Sequence, residues 1–165
     1  MTTEPPFYET LDLTLCGNMG RVHRLCREVV TVAVEPLGLT QSRWTTLMHI
    51  NMLQEGVTQL ALAHSLGIEM PSLTRTIKQL EEQLLITRCV DEHDKRSKRI
   101  YFTEQGRTIL HSLNEKITDV KNQLYNGLSH EELDVVAHSL IKMEQNAQSC
   151  IKKKVRNKVK NKAKK

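Results

Sequence analysis

Aromatic side chains are scarce: one Trp, three Tyr and two Phe in 165 residues. That gives little bulk to a core and few flat surfaces for stacking unpaired bases, which weighs against a single-stranded RNA binder. No run of about 18 apolar residues occurs, so the sequence predicts no membrane-spanning helix. The four cysteines (Cys16, Cys26, Cys89 and Cys150) form no close metal-type pair. Glu4, Glu9 and Asp12 precede the first basic residue, Arg21, the reverse of a secretory leader's charge order. Reduced thiols and a cytoplasmic location are the expectation. A phosphate loop, a glycine-rich dinucleotide fingerprint and a His-Glu-x-x-His zinc motif are all missing, and the seven histidines do not cluster. The sequence therefore predicts no enzyme, no cofactor and no metal.

What is present is unevenly charged. The formal net charge is +5, from 24 Lys+Arg against 19 Asp+Glu. Nine of the basic residues (Lys152, Lys153, Lys154, Arg156, Lys158, Lys160, Lys162, Lys164 and Lys165) fall in 152–165, which holds no acid. Residues 1–151 thus carry 15 basic against 19 acidic groups, a net −4. The basicity belongs to a tail, which reads as a frayed or disordered end.

Helical periodicity appears in four long segments. Leu15, Met19, Val22, Cys26, Val29 and Ala33 make one stripe, ended by Pro36. Thr40 is an N-cap candidate with Leu39 and Trp44 as a hydrophobic staple, for a helix reaching about Leu53. Thr103 caps a third, carrying Ile109, Leu113, Ile117, Val120 and Leu124. Ser129 and Glu132 form a capping box for the last, with Leu133, Val136, Leu140, Met143, Ala147 and Ile151 as its stripe. Long stripes with so little bulk are better buried against a second copy, so a homodimer through the N- and C-terminal helices is expected.

The middle of the chain reads as a helix-turn-helix: a short helix from Thr58 to Leu66, Gly67 for a left-handed turn, and a second helix from Pro71 to about Gln83. Two β-prone runs, Ile86–Val90 and Arg99–Thr103, flank a charged stretch and form a hairpin. The fold class is mainly α: an α+β winged helix-turn-helix with six helices and a two-stranded wing.

On the second helix, Leu73, Ile77, Leu80 and Leu84 share the face expected in the core. Ser72, Arg75, Lys78 and Gln79 lie opposite, with Thr74 and Thr76 on the borders. That face suits a major groove, where Arg grips guanine through two hydrogen bonds. At the hairpin tip Lys95, Arg96, Lys98 and Arg99 concentrate positive charge, and Asp94 stands where it can hold Arg96 for a narrow minor groove. A plain amphipathic surface helix and a self-neutralised tip (Asp91, Glu92 and Asp94 precede the basic run) are the alternatives.

Ile68-Glu69-Met70-Pro71-Ser72-Leu73-Thr74-Arg75-Thr76, Gln79-Leu80-Glu81-Glu82, Leu85-Ile86-Thr87-Arg88, Asp94-Lys95-Arg96-Ser97-Lys98-Arg99-Ile100 and Thr103-Glu104 together resemble the MarR family of winged-helix regulators, and within it the SlyA/RovA branch. Leu39-Thr40-Gln41 with Trp44, and Arg21, Arg24 and Arg27, also look like that branch. Departures are Leu84 where relatives usually have glycine, Lys95 where close relatives often have arginine, Val32 and Ala33 in place of larger polar residues, and the lysine-rich end.

The resemblance implies one MarR-like domain over 1–165, with dimerisation helices at 10–35 and 104–151, a winged helix-turn-helix at 39–103 and a basic tail at 152–165. It implies a nucleoid-associated homodimer that regulates transcription, as repressor or as activator displacing a nucleoid silencer, on pseudo-palindromic, A·T-rich double-stranded DNA. Pro71, Ser72, Thr74, Arg75 and Lys78 would meet the major groove; Arg96, supported by Asp94 and flanked by Lys95 and Lys98, would enter the minor groove. A small aromatic carboxylate is the ligand class it implies, with Arg21, Arg24, Trp44 and His49, and His23 nearby, as candidates. A core role for Trp44 and surface ion pairs for the arginines remain the alternative. A redox-sensing repressor using Cys16 is a further reading, against which Cys16 is expected to be a buried, inert thiol. A non-specific nucleic-acid-binding module driven by the tail is the last.

Overall fold

The computed structural model describes residues 15–91, 95 and 97–162, with 154–162 as backbone only. Among these residues six α-helices and a small sheet follow in the order α1 (Leu15–Val34), a 3₁₀ turn (Glu35–Leu37), α2 (Gln41–Leu53), β1 (Val57–Thr58), α3 (Gln59–Leu66), α4 (Met70–Glu82), β2 (Ile86–Val90), β3 (Lys98–Phe102), α5 (Glu104–Leu124) and α6 (His130–Lys162). The chain forms two compact units, Met1–Leu124 and Tyr125–Lys165.

Local signals account for most boundaries. Pro36 stands in the 3₁₀ turn that follows α1, and Gly38 closes that turn at φ 70°. Thr58 Oγ1 accepts from Ala61 N at 3.2 Å and starts α3. Gly67 ends it in the left-handed region, its amide donating to His64 O at 3.2 Å. Ser129 and Glu132 cap α6 reciprocally: Glu132 N donates to Ser129 Oγ at 3.2 Å and Ser129 N to Glu132 Oε2 at 2.8 Å. Thr40 occupies the N-cap of α2 in extended conformation but makes no capping hydrogen bond. Its hydroxyl accepts from Arg43 Nε at 3.1 Å instead.

The first unit has one core, in which Val34, Leu47, Ile50, Leu62, Leu73, Ile77, Leu80, Ile100 and Leu113 are fully covered. The sheet is antiparallel in the order β1-β3-β2, with Val57 opposite Ile100 and Ile86 opposite Phe102. The hairpin strands match the expected wing, β3 beginning one residue earlier, at Lys98. The third strand, β1, is only two residues long, too short to show an alternation in sequence.

Two readings are corrected. Leu84, expected in the core, is 65% exposed. Its φ of 57° turns the chain out of α4, and the left-handed residue points its side chain away from the face carried by Leu73, Ile77 and Leu80. In α1 Leu15, Val22 and Val29 are exposed, and Val30 and Val34 are the buried residues of the helix. The basic end is not frayed, since α6 stays helical to Lys162. Lys and Arg are good helix formers, and cations near a helix C-terminus oppose its dipole favourably.

One packing contact fixes the α5 start. A Cβ on Gly106 would lie 1.8 Å from Leu85 O. Around that close approach Thr103 N donates to Leu85 O at 3.1 Å, Thr103 Oγ1 donates to Leu84 O at 2.5 Å and Gly106 N donates to Thr103 Oγ1 at 2.9 Å. Thr103 thus caps α5, as its sequence position predicts, and also ties that cap to the end of α4.

Candidate nucleic-acid interface

Helix α4 presents two chemically distinct faces. Leu73, Thr76, Ile77 and Leu80 are buried, while Pro71, Ser72, Thr74, Arg75, Lys78 and Gln79 are exposed. Pro71 sits in the first turn, where its missing N–H leaves no helix bond unmade. Thr74 turns its hydroxyl back on Met70 O at 2.8 Å, leaving its methyl group for outward contact. Arg75 makes no hydrogen bond or ion pair among the described residues. Lys78 stands 3.7 Å from Glu82 in an exposed pair, which is easily exchanged for another anion.

The acidic residues of α4 would oppose a polyanion if left free. Glu81 is engaged: Arg88 of β2 grips it with Nε to Oε1 at 2.8 Å and Nη2 to Oε2 at 2.5 Å. This bidentate pair is partly buried, joins α4 to the hairpin and cancels the charge of Glu81 locally. The sequence reading missed this role of Arg88; a residue seven positions away on a strand carries no helical spacing to reveal it.

The wing keeps Lys95 and Lys98 exposed. Asp94 and Arg96, the predicted minor-groove pair, lie outside the described residues. Arg99, counted in sequence as part of the positive tip, is instead committed at the wing root. Its Nε meets Asp91 Oδ2 at 2.5 Å and its Nη1 donates to Gly56 O at 2.7 Å. Asp91, read from sequence as solvated tip charge, is only 5% exposed. A second brace is Glu55, which accepts from Phe102 N at 2.8 Å and from Arg107 at 2.9 and 3.0 Å. Among the described residues, the braces leave Arg75, Lys78, Lys95 and Lys98 as the outward cations of the recognition helix and wing.

The proposed ligand residues occupy separate settings. Arg21 and Arg24 are exposed on α1, as is His23, and Arg21 Nη2 reaches Asn18 Oδ1 at 3.3 Å. Trp44 is buried, its Nε1 donating to Thr31 Oγ1 at 3.0 Å. His49 Nδ1 lies 2.9 Å from Ser65 Oγ, joining α2 to α3, and burial pushes its pKa below the ordinary histidine value. A groove of about 600 Å³ between α1 and α5 is lined by other residues, among them Leu25, Val29, Val32 and Val120. All four cysteines are free, and Cys16, in the first turn of α1, is exposed rather than buried as expected. Among the described residues no His/Cys/Asp/Glu group could hold a metal, and no helix is long and apolar enough to cross a membrane.

A helix-turn-helix whose second helix is basic outside and apolar inside, followed by a braced β-hairpin, defines the winged-helix class with a DNA-binding fold. Residues 37–97 match the sequence model of the MarR family, and the chain has the fold of MarR winged-helix transcription regulators. The transcriptional regulator PA3341 is 27% identical, with a TM-score of 0.76 over 81% of this chain and 98% of that one. SlyA is 26% identical, with a TM-score of 0.74 over 83% and 96% respectively. The repressor CouR, solved bound to a 23-mer DNA duplex, shares the fold at 23% identity, with a TM-score of 0.73 over 86% and 99%.

Proposed function

We propose that the protein is a homodimeric, sequence-specific DNA-binding transcription regulator that acts on pseudo-palindromic, A·T-rich duplexes. The observation that carries this reading is the outward face of α4, where Arg75 has no partner among the described residues while Glu81 is neutralised by Arg88. In the reading, Pro71, Ser72, Thr74, Arg75 and Lys78 enter the major groove, and the wing brings Lys95, Arg96 and Lys98, with Asp94 in support, to the minor groove. Dimerisation is supported by apolar side chains left exposed on the terminal helices: Val22, Leu25 and Val32 on α1, and Val135, Val136, Leu140 and Ile141 on α6. Two copies would set their recognition helices about 34–36 Å apart, one turn of DNA. On this reading the domain layout stays that of one MarR-like chain, and the protein works in the cytoplasm on the nucleoid.

The SlyA-like part of the reading rests on the 26% identity to SlyA and carries two consequences: activation by displacing a nucleoid silencer, and release from DNA by small aromatic carboxylates near Arg21, Arg24, Trp44 and His49. Selection of bound duplexes from a random library, with sedimentation of the free protein, tests the core of the proposal. The expected result is a two-fold symmetric A·T-rich consensus and a dimer. A stable monomer, or a pool without enrichment, overturns it. Salicylate titration of the selected complex tests the ligand: no release at millimolar levels removes that part alone.

A further inference from the structure

Residues 152–162 continue α6 as helix, although the segment holds seven Lys/Arg and no acid. Lys152 and Arg156, Lys154 and Lys158, Arg156 and Lys160, and Lys158 and Lys162 are each four apart. Like charges at that spacing are neighbours on a helix and oppose it. The favourable dipole term reaches only the last turn. The nearest preceding acid is Glu144, about two turns before Lys152. At the α-helical period Lys152, Lys153, Arg156 and Lys160 fall on one side of the axis and Lys154, Lys158 and Lys162 on the other. The segment is therefore a helical rod with cations on both sides and no counter-charge of its own.

We infer that residues 152–162 are a second, sequence-independent DNA-contact surface, a helix stabilised by neutralisation against duplex phosphates. The choice of polyanion rests on the DNA-binding reading above. It is favoured because residues 1–151 carry a net −4, so long-range attraction of a duplex falls to this end of the chain. A membrane surface is disfavoured, because Val155 and Val159 are the only apolar positions in the segment and an interfacial helix needs a broad apolar face.

The test is a full-length variant with Lys152, Lys153, Lys154, Arg156, Lys158, Lys160 and Lys162 all changed to Gln, whose helix propensity is close to that of Lys and Arg. Affinity for a random-sequence duplex is measured against salt for both proteins, with far-UV circular dichroism to check that the variant keeps its helix content. The wild type should show the steeper log–log slope, by about 0.9 for each phosphate contact removed. Equal slopes overturn the inference. So does poly-glutamate staying bound to the wild type at salt concentrations where the duplex does not, which would assign the surface to an acidic protein. Failure of both proteins to prefer the selected duplex over the random one would sink the winged-helix reading, and the slope comparison would still judge the tail.

Discussion

Arg99 Nε and Asp91 Oδ2 meet at 2.5 Å across the root of the wing, and the same guanidinium holds Gly56 O at 2.7 Å. Three segments (the end of β2, the start of β3 and the approach to β1) are pinned by one side chain. Asp91→Asn keeps the shape and removes the charge. It should lower stability in urea by about 1–2 kcal/mol, since one partner stays partly in solvent. The variant should also bind the selected duplex more weakly, because the wing is no longer held. Unchanged stability and affinity would show the pair to be idle.

Gly106→Ala should destabilise, against the usual preference of helices for alanine. The added Cβ meets backbone at Leu85 O, and a carbonyl cannot rotate aside as a side chain does. A loss of about 2 kcal/mol or more is expected. Gly20→Ala on α1 is the control: among the described residues nothing lies within 4 Å of where its methyl group would stand, so a gain of up to about 1 kcal/mol should appear. Equal effects at the two sites would refute the close-approach account.

Leu84→Gly should raise the melting temperature. A leucine at φ 57° bears a left-handed penalty of about 1–2 kcal/mol. Its side chain is 65% exposed, so little burial is lost. The extra freedom of glycine in the unfolded chain takes back part of the gain, leaving about 0.5–1 kcal/mol. Thermal melts of the two proteins decide it.

His49 should make stability fall in mild acid. Its folded pKa is depressed by burial, so the folded state binds its proton less readily than the unfolded chain. The contribution is complete above the unfolded value of about 6.5 and is lost as pH falls through the folded pKa. Wild type should therefore lose more stability between neutral pH and pH of about 5.5 than His49→Gln. Parallel pH profiles would count against it.

Arg75→Ala should cost about 1–3 kcal/mol in binding the selected duplex and relax preference at one base position per half-site. A mutant that is weaker but equally selective would reassign Arg75 to a phosphate.

Much of this architecture could be read along the chain because its causes are local. Gly67 ends α3, Ser129 and Glu132 cap α6, and the spacing of Leu73, Ile77 and Leu80 turns α4 inward, each through residues within about one or two helical turns. The same spacing wrongly placed Leu84 inside, because periodicity assumes the helix continues where the backbone in fact leaves it. The outward face of α4 was legible for the same reason as its inward face. The commitment of Arg99 to Asp91 and of Arg88 to Glu81 was not.

Alone, then, the sequence determined where helices start, the turn between α3 and α4, the hairpin and the chemistry of the exposed recognition face, all consequences of short-range geometry and side-chain type. Tertiary structure alone decided which charges face outward and which are spent on bracing. Glu55 reaches Arg107 and the backbone of Phe102, and Gly106 meets Leu85. These contacts join positions far apart in the chain, and only the closed core brings such groups within hydrogen-bonding or van der Waals range.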